Sequence, residues 1–253
     1  MNIPLIGIAI ILIIIVLIIG LIGIHRIPRR ILKSKTARLI LNNTTIGDRL
    51  SEIFYGITMV SVVSGMVNYG LFGQKDLSYL LFFVALGVNI SWGIIDGATS
   101  VYGGLVDKAE EDRLIYSLKS DRNNQEKRED VAEILQGTIL RSLKEEDQAR
   151  VVEMISAGEP EKISKYSASG DDLKVFLAIL LMDVITVFPV IIPLYVIENS
   201  QSALFWSHLI AILIFVLIGI AWAKYLNKNM IKAGLALGIL AAITISVTYY
   251  FGW

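Results

Sequence analysis

The chain reads as an all-α membrane protein: an N-terminal anchor followed by a five-helix bundle, with a small helical cytosolic domain between the second and third bundle helices. Three observations predict this. Six apolar runs lie at about 3–24, 53–72, 78–104, 175–197, 203–223 and 233–252. Each is near or above the roughly 20 residues a helix needs to cross a bilayer core. The charges then sort themselves. With the N-terminus outside, alternate threading leaves Lys75 as the one Lys or Arg in an outer loop and puts 22 of the 23 inside, as the positive-inside rule requires. Finally, 55 % hydrophobic residues and a mean hydropathy of +0.64 exceed what an ordinary soluble domain carries.

Composition narrows the function classes. Formal net charge is zero, so no nucleic-acid partner is expected; the basic residues mark orientation and an anionic lipid surface. The absence of cysteine removes disulfides, zinc–thiolate sites and thiol redox chemistry. Only His25 and His208 offer imidazole. Any metal site must therefore be built mainly from carboxylates. No nucleophile–base pair or cofactor motif is visible, so neither an enzyme nor a bound cofactor is expected.

Residues 1–24 form the expected anchor. Nothing basic precedes Ile3, and Arg26, Arg29, Arg30, Lys33, Lys35 and Arg38 follow the run. That order is the reverse of a cleaved signal peptide. Residues 25–46 are a basic juxtamembrane linker whose Ile and Leu interleave with Arg and Lys, as in an interfacial helix. Residues 47–104 form a first transmembrane hairpin, turning outside at GLFGQKDLS. The cytosolic acidic domain, 105–172, reads as three short helices near 105–121, 125–142 and 144–157. Asn123-Asn124 breaks the first pair, Ser142 caps the third helix, and Gly158-Glu159-Pro160 ends it. Residues 173–253 supply three more spans; Pro189 and Pro193 are expected to kink or loosen the first of them.

Two groups of residues could carry chemistry. Inside the membrane stand Asp96 and Asp183, with Glu52 at the inner mouth of the 53–72 span. A central carboxylate costs about 2.5–3.5 kcal/mol on insertion scales, so such groups face a bundle interior, a pathway or a partner. Asn89, Gly93, Asp96, Gly97, Ser100, Gly103 and Gly104 share one side of a helix. The stripe is either a small-residue packing seam or, with its acid and amide, a polar pathway. Glu52, Met59 and Met66 are seven apart, with Tyr55 and Gly56 beside them; Met59 is a thioether ligand or core filler. Asp183, without a visible basic partner, is a proton-coupling candidate, and His208 a hydrogen-bonded packing residue. In the cytosolic domain, Glu126, Glu129 and Glu133 share a helix face, while Glu110, Glu111, Glu146, Glu153 and Met154 lie on its neighbours. They either bind a divalent ion through oxygen or form solvated salt bridges with the interleaved Lys and Arg.

Five spans with an acidic helical insertion between the second and third resemble the vacuolar iron transporter (VIT) family over roughly 47–253. SEIFYGITMVSVVSG is similar to the family's first span, DGATSVYGGLVDKAEEDR to its second, FPVIIP to its paired prolines and TYYFGW to its ending. Glu52 matches the family's early acid and Ser100 carries over. Met59, Val101 and Leu105 stand where the family has Asp, Met and Glu. Glu126-x-x-Glu129 is like the family's Glu-x-x-Glu pairs, and Glu153-Met154 like its third-helix ligands. The resemblance implies a homodimer that moves iron or manganese out of the cytosol against protons.

The expected function is thus divalent-metal export, with Glu126, Glu129, Glu153 and Met154 collecting the ion and Glu52, Met59 and Asp96 relaying it. The alternative is a non-transporting VIT-like scaffold or sensor whose cytosolic helices bind a protein. The expected location is a prokaryotic cytoplasmic membrane, with both termini outside and residues 105–172 cytosolic.

Overall fold

Helix caps set most of the boundaries in the computed structural model, which describes residues 34–66, 74–160 and 165–251. The expected anchor at 1–24, most of the basic linker, the outer turn around Tyr69 and Phe72, and the terminal Trp253 lie outside the described residues. Everything described is helix or connecting turn, without a strand among the described residues.

Helix α1 (Lys35–Asn43) starts at Ser34, whose hydroxyl accepts from the Ala37 N–H at 3.4 Å. It is the amphipathic helix expected of the linker, and its apolar face is buried in protein: Ala37 and Ile40 are both covered. Helix α2 (Ile46–Met66) begins with a reciprocal cap. The Thr45 N–H donates to Asp48 at 2.7 Å, and the Asp48 N–H donates to Thr45 Oγ1 at 3.1 Å, satisfying two orphan donors at once. Met66 closes α2 and its side chain is not among those described.

Helix α3 (Gln74–Ser120) is a single helix of 47 residues. The break expected near residue 105 does not occur. Gly103 and Gly104 have open space beside them, and two glycines cost only about 1 kcal/mol each. The helix-favouring run LVDKAEEDRLIYSLK that follows carries the backbone through.

Two compact units divide the chain: residues up to Ala98 together with those from Asp171 onward, and residues Thr99–Gly170. In the second unit, Asn124 caps α4 (Gln125–Gln136), its side chain accepting from the Lys127 N–H at 3.2 Å. The expected helix 125–142 is in fact two pieces. Gly137 ends α4, and a short 3₁₀ turn, Ile139–Ser142, follows. Ser142 does not cap the next helix; its hydroxyl donates back to the Ile139 carbonyl at 2.9 Å. Helix α5 (Glu145–Ala157) is capped at Lys144, without a side-chain bond. Three acids in its first turn favour that start through the helix dipole. Leu118, Val131 and Val152 form the small core of this unit.

In the first unit, α6 (Gly170–Val196), α7 (Ser200–Tyr225) and α8 (Met230–Phe251) complete the element order. Helix α6 runs unbroken through both Pro189 and Pro193, although each proline leaves a carbonyl one turn back without its donor. Asn199 caps α7, accepting from the Ser202 N–H at 2.9 Å. Asn227, at φ 53°, ends it in the left-handed conformation that Asn tolerates. Close backbone approach joins α7 to α8: a Cβ on Gly219 would stand 2.5 Å from the Ala233 carbonyl oxygen. Helix α2 meets α8 the same way, Gly65 against Thr248. Small residues are what permit such crossings in an apolar bundle.

Four helices among the described residues are long and apolar enough to cross a membrane: Leu77–Ser120 within α3, Gly170–Val196, Ser200–Tyr225 and Met230–Thr248. Helix α2 is not one of the four. The apolar run expected there, 53–72, passes beyond Met66, and the described part carries Asp48, Arg49 and Glu52 near its start.

Candidate functional site

Three helices of the first unit bring acids together. Ile53, Ile57 and Val60 bury one side of α2 completely, and Glu52 stands next to Ile53, half-buried. On α3, Asn89, Gly93 and Gly97 are buried and Asp96 is half-buried. On α6, Met182, Asp183, Thr186 and Val187 are all fully buried. The glycines set the approach. A Cβ on Gly93 would fall 3.0 Å from Asp183 Oδ2, and one on Gly97 would fall 2.9 Å from the Phe176 carbonyl oxygen. Any larger residue at these two positions would push α6 away from α3.

One carboxylate oxygen each from Glu52, Asp96 and Asp183 lies within 4.8 Å of the other two. Among the described residues no donor reaches Glu52 Oε2 or either oxygen of Asp183. Neighbouring charges are engaged elsewhere. Arg49, one turn before Glu52, donates through Nη1 to the Thr44 carbonyl at 2.7 Å; Lys174 pairs with Asp171 at 2.6 Å. A buried acid without a donor is costly, and three acids this close repel one another. At an effective dielectric of about 20, each ionised pair costs on the order of 3–4 kcal/mol. Protons held between the acids, or a cation coordinated by them, would relieve that cost. Two oxygens bound to one ion at about 2.3–2.6 Å lie at most about 5 Å apart, so oxygens within 4.8 Å of one another are near enough to share an ion. The set is also all-oxygen, which suits hard divalent ions.

Of the residues singled out in the sequence, Glu52 and Asp96 are therefore brought together, and Asp183 joins them. Met59 is half-buried, two turns or about 10 Å along α2 from Glu52, and the three acids converge without it. The glycine stripe divides: Gly93 and Gly97 pack tightly, whereas Gly103 and Gly104 meet nothing within 4 Å and Ser100 is exposed. Thr186 was not apparent from sequence; its only signal was a spacing of three from Asp183. His208 is buried with Nε2 2.8 Å from Ser64 Oγ, the hydrogen-bonded packing role expected of it.

Of the cytosolic candidates, Glu126, Glu129, Glu153 and Met154 are not gathered into one site. Glu126 and Glu129 are exposed, and Glu129 accepts from Gln125 Nε2 at 2.9 Å. Glu153 is ion-paired with Arg128, and Met154 is 76 % exposed. Interleaved basic residues thus claim Glu153, as the salt-bridge alternative anticipated. Three further candidates, Glu110, Glu111 and Glu133, do share one cleft. Asp107, Glu110, Glu111, Asp130 and Glu133 line an open cleft of about 690 Å³, with Arg113 among them.

No protein-family model matches the chain, and no curated protein matches it significantly.

Proposed function

We propose that the protein is a membrane transporter that moves a divalent metal ion, manganese or iron, out of the cytosol in exchange for protons. One observation carries this reading: the convergence of Glu52, Asp96 and Asp183 from three apolar helices, with Glu52 Oε2 and both Asp183 oxygens buried and reached by no donor among the described residues. Lipid tolerates carboxylates only where something compensates them. A group that alternately holds protons and a divalent ion is compensated in both states. Glu52, Asp96 and Asp183 coordinate the ion, and the protons they release or take up couple its movement to a pH gradient. The all-oxygen donor set favours Mn²⁺ over softer ions.

The wider arrangement in this reading is VIT-like. An N-terminal anchor precedes five spans, two chains associate as a homodimer in a prokaryotic cytoplasmic membrane, and residues 105–172 face the cytosol. The sorting of 22 basic residues to one side supports that orientation.

The test is proton-gradient-driven Mn²⁺ uptake into proteoliposomes, repeated with Asp96→Asn. Uptake by the native chain that is lost in the variant is the expected result. Failure to move Mn²⁺ or Fe²⁺ under any gradient rejects transport and leaves a non-transporting scaffold or sensor.

A further inference from the structure

The start of α2 and the end of α7 border an apolar groove. Ile46, Gly47 and Leu50 from α2 and Trp222, Tyr225 and Leu226 from the α7 end line an open space of about 400 Å³. Tyr225 and Leu226 are 48 % and 67 % exposed. An indole and a phenol beside aliphatic side chains make the composition of a membrane–water interface. In the threading above, both helix ends lie at the cytosolic face.

Positive charge gathers at the same end of the bundle. Arg49 is only 6 % exposed, yet among the described residues no acid forms an ion pair with it and no acceptor reaches its Nε. Its electrostatic neighbours are the groove residue Tyr225 and Asp48. The Asp48 carboxylate is already engaged, accepting from the Thr45 N–H at 2.7 Å. On the other side, Lys224 stands in the last turn of α7, and the Lys228 N–H donates to the Ala223 carbonyl at 2.7 Å. Neither lysine has an ion pair among the described residues. The first turn of α2 adds the positive end of a helix dipole. Buried cations are normally neutralised by a partner; here the described chain supplies none.

We infer that this groove binds an anionic phospholipid of the cytosolic leaflet, one acyl chain lying against Leu50, Trp222 and Leu226 and the phosphate held by Arg49, Lys224 and Lys228. The two halves of the lipid match the two halves of the site. An acyl chain fills an apolar groove, and a headgroup of net negative charge supplies the missing counter-charge. A zwitterionic lipid brings its own cation and neutralises less. The inference rests on the membrane orientation proposed above and is independent of the three acids, so its failure leaves Mn²⁺ transport standing.

Trp222 makes the groove readable. The substitutions Trp92→Phe, Trp206→Phe and Trp253→Phe leave it the sole tryptophan. This chain is reconstituted in phosphatidylcholine vesicles containing rising fractions of brominated phosphatidylglycerol, or of brominated phosphatidylcholine with the same acyl chains. Quenching of Trp222 by the anionic lipid is expected at a mole fraction about fivefold lower than by the zwitterionic one, the effect of one basic residue beside an anionic headgroup. Adding Lys224→Gln and Lys228→Gln should bring the two lipids close to equal. Should the single-tryptophan chain lose the native thermal midpoint, the native chain decides: its midpoint in detergent should rise more with phosphatidylglycerol than with phosphatidylcholine. Equal action of the two lipids on the chain with both lysines overturns the inference and leaves ordinary boundary lipid. So does a preference for the anionic lipid that survives both lysine substitutions, because the phosphate is then held elsewhere. Absence of quenching by either lipid also overturns it, since a second copy or a protein segment then covers the groove.

Discussion

Replacing Asp183 with asparagine separates a carboxylate kept for an ion from one kept for packing. The two side chains are nearly isosteric, so the fully buried position on α6 stays filled. What changes is charge. With oxygens of the three acids within 4.8 Å, each ionised pair costs on the order of 3–4 kcal/mol at an effective dielectric of about 20, and the amide removes two of the three pairs. The metal-free variant should therefore unfold at the native temperature or above it. Metal dependence should move the other way. An ion present at 100 times its dissociation constant stabilises the folded state by about 2.7 kcal/mol. For a chain of this size that raises the midpoint by about 5–10 °C. Thermal unfolding in detergent, with and without Mn²⁺, reads both effects. The native protein should show the rise, and Asp183→Asn should lose most of it. A variant that keeps the full Mn²⁺ shift, or whose metal-free midpoint drops well below native, would refute the reasoning.

Four further outcomes follow from the packing. Gly65→Val places a Cβ 2.4 Å from Thr248 Oγ1 and should cost about 1–3 kcal/mol, seen as a lower midpoint; Gly87→Ala, with nothing within 4 Å, should not lower it. Ser64→Ala removes the 2.8 Å contact with buried His208 and should lose about 1–2 kcal/mol by the same measurement. Leu118→Ala, at the centre of the small Thr99–Gly170 core, should cost about 2–5 kcal/mol and speed proteolysis within that unit. The combined Glu126→Gln, Glu129→Gln, Glu153→Gln and Met154→Ala variant should leave the Mn²⁺-induced midpoint shift unchanged, because these side chains are exposed or ion-paired; loss of the shift would restore a metal role to that surface.

Locally determined features were readable from the residues alone. The length and apolarity of a run decide whether it can cross a bilayer, and the expected runs at 175–197, 203–223 and 233–252 fall on α6 (Gly170–Val196), α7 (Ser200–Tyr225) and α8 (Met230–Phe251). Caps are equally local: Asn124 and Gly158 bound helices where their chemistry suggested. Ser142 did not, since a hydroxyl there could satisfy its own preceding turn instead. The break expected near 105 failed because glycine only weakens a helix, and nothing in the flanking residues terminates one.

Sequence periodicity placed Asn89, Gly93, Asp96 and Gly97 on one helical face, because side-chain direction follows from the 3.6-residue turn. It could not say what that face meets. Only the folded chain brings Asp183 against Gly93, sets Thr186 and Asn89 around Gly56, and turns Glu153 toward Arg128. Those choices depend on how closely two backbones approach and on which neighbour supplies a donor or a charge. Such distances run between helices far apart in the chain, and no one-dimensional pattern encodes them.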